Sequence, residues 1–129
     1  MYSFGDLSVL IDLSGQVWRM TDGFHVSIRA ELRDGNPNRP HGLDYGLTLM
    51  DPSRVRVLGF DNRHKYDDAG PDAPFDHEHR HDRPHRTFAY DFRSAGNLMS
   101  DFFDRVDDYI KVHEARTGRR LAFEEGCLS

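Results

Sequence analysis

The sequence predicts an α+β domain, an antiparallel β-sheet with one long C-terminal helix packed on one face. Three observations predict it. Residues 24–32 and 43–49 alternate apolar and polar side chains with a period of two. Turn-forming groups such as Asp22-Gly23 and Asp51-Pro52-Ser53 punctuate these runs. Past Asn97 the apolar spacing changes to three and four, through Leu98, Met99, Phe102, Phe103, Val106, Tyr109 and Ile110.

Taken in order, Leu7 to Leu13 is a short apolar run broken by Ser14-Gly15, and Val17 to Met20 is read as its partner. Phe24, Val26, Ile28, Ala30 and Leu32 share one face of the next strand, with His25, Ser27, Arg29, Glu31 and Arg33 on the wet face. Asp34 to Gly42 holds two Pro, two Gly and two Asn and reads as a loop. Leu43, Tyr45, Leu47 and Leu49 define a second alternating strand, and Val55 to Phe60 its antiparallel neighbour. Asp61 to Pro74 is polar and predicts a long mobile loop. The histidine-rich run that follows is a strand, Arg83-Pro84 interrupts it, and Phe88, Tyr90 and Phe92 form the last one. Ser94 can cap the helix, acidic residues fall toward its first turns, and Gly118 can end it. Its Met and aromatic stripe is core. One helix covers only part of a sheet, so the other face is either wet or closed by a homodimer.

The 129 residues make a single domain spanning 1–129, with a core over about 23–112. The aromatic content of 12% argues against a disordered chain, and the net charge of −5 against generic nucleic-acid binding. Basic and titratable residues nevertheless crowd between His77 and Arg93. Cys127 is the only cysteine, which rules out an intramolecular disulfide and any cysteine-rich metal site. With no apolar run long enough to cross a membrane and no basic leader, the chain is expected in the cytoplasm.

The most informative stretch is Phe75-Asp76-His77-Glu78-His79-Arg80-His81. On a strand, His77, His79 and His81 share one face, and Asp76, Glu78 and Arg80 the other. A buried face would require each imidazole to be hydrogen-bonded or ligated. Gly59-Phe60-Asp61-Asn62-Arg63-His64 lies on the other side of the long loop. If the two strands are neighbours, Asp61 and His64 come to the same end of the sheet as Asp76 and His77. The composition needed to cleave RNA without metal is then present. His77 and His79 would transfer protons, Asp61 and Asp76 would orient them, and Arg80 or Arg86 would stabilise phosphorane charge. Tyr66 and Tyr90 could stack on a base. The same atoms admit a metal reading, in which His77, His79 and His64 (or Asp61) hold zinc or another divalent ion. A plain solvated edge strand is the structural alternative. His81, Asp82, Arg83 and His85 read as exposed, and His25, His41 and His113 as surface positions.

The order Leu43-x-Tyr45-x-Leu47, Arg56-Val57-Leu58-Gly59-Phe60-Asp61-Asn62-x-His64, Phe75-Asp76-His77-x-His79, Tyr90-x-Phe92 and Leu98-x-x-Asp101-Phe102-x-x-x-Val106 resembles the TumE family over about residues 23–112. These are small bacterial toxins of toxin–antitoxin pairs. The resemblance implies a growth-inhibiting protein inside the cell whose antitoxin carries a helix-turn-helix. It marks Asp61, Asn62, His64, Asp76, His77 and His79 as the motif. The mechanism rests on residue chemistry, and three functions stay open: a ribonuclease, a metal- or partner-binding regulator without catalysis, and a small metal-dependent hydrolase. The acidic segment Lys65 to Pro74, with Asp67, Asp68 and Asp72, departs from a loop suited to docking RNA phosphates.

Overall fold

The protein is seen in a computed structural model that describes residues 4–36, 39–63 and 75–124. Helix α1 (Phe4–Asp12) precedes strands β1 (Val17–Arg19), β2 (His25–Leu32), β3 (Leu43–Met50), β4 (Arg56–Asp61), β5 (His77–Arg80) and β6 (Arg83–Ala89); helix α2 (Ala95–Thr117) follows. The six strands form one sheet in the order β1 to β6, every pair antiparallel. The α+β expectation holds, with two differences. Leu7 to Leu13 lies in and just after a helix rather than in a strand, and β1 pairs with β2 instead. The last strand runs through Pro84 and stops at Ala89, before Tyr90 and Phe92. Pro84 fits there because β6 is an edge strand.

Each face of the sheet follows from the pairing. On the helix side, Val26, Ile28, Ala30, Leu43, Tyr45, Leu47, Leu49, Leu58 and Phe60 are all buried. They meet Leu98, Phe102 and Val106 of α2 and Leu7 and Leu10 of α1 in one core. Trp18 stacks on Phe103 with ring centroids 5.4 Å apart, tying the β1 edge to α2. The Ser94 side chain accepts the Asn97 N–H at the start of α2, and Gly118 closes it at φ 70°. No acidic residue lies in the first turn of α2. Asp6 of α1 supplies that charge from outside, accepting the Ala95 and Gly96 N–H groups at 2.7 and 3.2 Å.

The opposite face carries two rows of residues in register. One is Arg29, Gly46, Asp61, His77 and Ala89; the other is Ser27, Thr48, Gly59, His79 and Thr87. The backbone of β3 passes close to Gly59: an added Cβ would lie 2.7 Å from the Leu47 carbonyl oxygen. Gly59→Ala is therefore expected to destabilise the fold by about 1–3 kcal/mol, read as a fall in the thermal midpoint. An unchanged midpoint would mean that β3 and β4 slide apart without cost.

Candidate functional site

Antiparallel pairing of β4 with β5 sets Asp61 directly opposite His77, and His79 is the next residue along the same face. The side chains converge. His77 Nε2 lies 2.9 Å from Asp61 Oδ1, and His79 Nε2 lies 3.2 Å from Asp61 Oδ2. The two Nε2 atoms are 3.0 Å apart, with the rings edge to face. His77 Nδ1 donates to the Phe75 carbonyl at 2.7 Å, which fixes the proton on that nitrogen and turns Nε2 toward Asp61. The His77 side chain is 5% exposed against 20% for His79, so the cluster is anchored at one end and open at the other.

The electrostatics follow from these contacts. Burial works to raise the Asp61 pKa, but hydrogen bonds from His77 and His79 outweigh it and hold the carboxyl well below its usual range. Burial works to lower the His77 pKa. The Asp61 carboxylate and the Phe75 carbonyl prevail, and it is raised.

Asp61 ends β4, and the neighbouring residue holds it in place. Asn62, fully buried, donates to the Leu43 carbonyl at 2.6 Å and accepts the Tyr45 N–H at 3.0 Å. Arg39 clamps the same strand end, donating to the carbonyls of Asn62 and Arg63. Beside Asp61 a cleft of about 240 Å³ is lined by Ser27, Arg29, Gly46, Thr48 and Arg63.

Several expected site residues lie elsewhere. Asp76 does not orient the histidines. It faces the core, where its Oδ1 accepts His41 Nε2–H at 2.8 Å and the Tyr45 hydroxyl at 2.7 Å. His41 is thus buried rather than a surface position; its Nδ1 accepts the Leu43 N–H, leaving the proton on Nε2. Arg80 also faces away from the histidines, with its guanidinium 3.8 Å from the Phe88 ring centroid and its Nε 3.3 Å from Glu78. Arg86 lies over Phe88 as well. A cation that does approach the cluster is Arg56, 4.0 Å from Asp61 Oδ2. Tyr90 donates to Asp101 at 2.6 Å on the helix side and offers no platform beside the histidines. His81 leaves the strand and packs its ring against Tyr109. His113 is partly buried and contacts Asp22. His64, Tyr66, the loop expected up to Pro74 and Cys127 lie outside the described residues.

Residues 7–110 match the family model described as "Toxin TumE". The chain belongs to the TumE toxin family. The match extends the resemblance back over α1 and β1, segments that the sequence motifs alone leave out. Membership makes the TumE chain a toxin with an antitoxin as partner. No curated protein and no solved structure matches it. Among the described residues no helix is long and apolar enough to cross a membrane.

Proposed function

We propose that this toxin cleaves RNA and that Asp61, His77 and His79 form its reacting centre. One observation carries the reading: two imidazole nitrogens and a carboxylate meet within 2.9 to 3.2 Å on a sheet face that no described helix covers. Such a trio can both take and give a proton. His79, the more exposed ring, would remove the proton of a ribose 2′-OH as that oxygen attacks phosphorus. The bond from phosphorus to the 5′-oxygen breaks, and His77, kept protonated by Asp61 and the Phe75 carbonyl, would give that oxygen its proton. The products are a 2′,3′-cyclic phosphate and a 5′-hydroxyl. Arg56 and Arg63, not Arg80, would offset the charge of the phosphorane. Ser27 and Thr48 line the adjoining cleft, where a neighbouring nucleotide can hydrogen-bond. The antitoxin, with a helix-turn-helix, would neutralise the toxin in the cytoplasm, where its RNA substrate lies.

A second reading, metal-assisted hydrolysis at the same residues, is favoured by the mutual closeness of the three donor atoms. A chelator separates the two routes.

The test is growth after induced expression of wild type and of the His77→Ala/His79→Ala variant at matched soluble levels. Wild type is expected to arrest growth and degrade RNA, and the variant to do neither. Equal arrest by both would overturn the catalytic reading in favour of inhibition by binding.

A further inference from the structure

The contacts within the cluster conflict with one another. Asp61 meets both Nε2 atoms, and the Nε2 atoms meet each other, at 2.9, 3.2 and 3.0 Å. With the carboxylate ionised, no placement of protons satisfies all three. Protons on both nitrogens set two N–H groups against each other. A proton on one nitrogen leaves the other lone pair facing the carboxylate. Protons on neither leave every contact repulsive. A single cation accepting all three lone pairs removes the conflict.

We propose that Asp61, His77 and His79 bind a divalent transition-metal ion of the zinc type. The claim concerns binding and stands apart from the RNA reading. Ligand atoms around tetrahedral zinc lie about 3.3 Å apart, close to the separations here, so only a small expansion is needed. Three protein ligands with a fourth position open to solvent is the arrangement of reactive zinc sites, and the exposure of Asp61 and His79 leaves that position accessible. The Nδ1–H of His77 on the Phe75 carbonyl is the outer contact that holds a metal-bound imidazole in the correct tautomer. Two imidazoles and one carboxylate suit zinc, cobalt or nickel; magnesium and calcium demand oxygen ligands. Arg56, 4.0 Å from Asp61 Oδ2, is an unfavourable neighbour, and its removal should tighten binding.

Titration of the purified full-length chain with Zn²⁺, followed by calorimetry, tests the site without RNA. One ion per chain is expected, with Mg²⁺ giving no signal. His79→Ala and Asp61→Asn should each weaken binding by at least about tenfold, while His81→Ala/His85→Ala leaves it intact. Absence of Zn²⁺ binding, wild-type affinity in the Asp61→Asn and His79→Ala variants, or loss in the His81→Ala/His85→Ala variant would overturn the proposal. Should a variant not fold, Co²⁺ added to wild type decides. An intense visible band of four-coordinate cobalt is expected, and a spectrum no different from aqueous Co²⁺ would refute the site. Zinc binding without RNA cleavage would leave this proposal standing and remove the ribonuclease reading alone.

Discussion

Alanine at position 76 is expected to lower the unfolding free energy by about 2–6 kcal/mol, because it strands two buried donors at about 1–3 kcal/mol each. The Asp76 carboxylate sits 2% exposed beneath the start of β5, and both donors reach the same oxygen, Oδ1. Tyr45 is fully buried, and His41 lies against Phe92 with ring centroids 3.9 Å apart. Both donor side chains are buried, so bulk water does not replace the lost acceptor. A domain of this size has about 5–15 kcal/mol of stability in all, and the change would place the variant near its unfolding transition. Urea denaturation measures it as a lower midpoint at unchanged slope. Asp76→Asn keeps an acceptor at the Oδ1 position and should cost only about 1 kcal/mol. A loss below about 1 kcal/mol for the alanine variant would show that the His41–Asp76–Tyr45 network does not tether β5.

The contrast between Asp76 and Asp61 marks how far the sequence can be read. A period of two places His77 and His79 together and sends Asp76 to the other face, and β5 obeys it. Assigning Asp76 to orient the histidines runs against that parity, and the structure resolves the matter in favour of the pattern. Asp61 was legible because a strand end beside a turn could be matched to the next strand. Its direct pairing with His77 confirms the match. His41 was not legible. It sits in a loop without periodicity, and its burial depends on Asp76, 35 residues later, and on Phe92. Arg80 repeats the case of Asp76: the same alternation puts it on the face of Glu78, away from the histidines, where it meets Glu78 and Phe88. Helix α1 is not legible in the sequence, because the apolar side chains of its nine residues fall at mixed spacing that suits a strand or a helix equally, and packing against α2 and β2 decides. The long alternations of β2 and β3 and the capped α2 carried enough residues to be read without help.

Asp61→Asn is expected to abolish growth arrest, with RNA cleavage reduced by about a hundredfold or more. The carboxylate touches both histidines, so its loss affects either chemical route. Without metal, His77 loses the partner that keeps it protonated. Burial, which opposes the charged imidazole, then prevails, and the His77 pKa should fall below its wild-type value. Proton NMR of the ring in chelator-treated protein reads this directly. Stability should change with a defined sign. The raised His77 pKa stabilises wild type fully below about pH 6.5, and the benefit is lost as pH rises through the folded value. The depressed Asp61 pKa stabilises above its ordinary value of 3.8, and that benefit is lost as pH falls toward the folded value. The advantage of metal-free wild type over Asp61→Asn should therefore peak between about pH 4 and 6.5 and shrink on either side. A constant difference across that range would mean that the Asp61–His77 contact carries no charge. Full activity in the variant would remove the cluster from the chemistry, because neither the proton-transfer route nor the metal route keeps its anionic member.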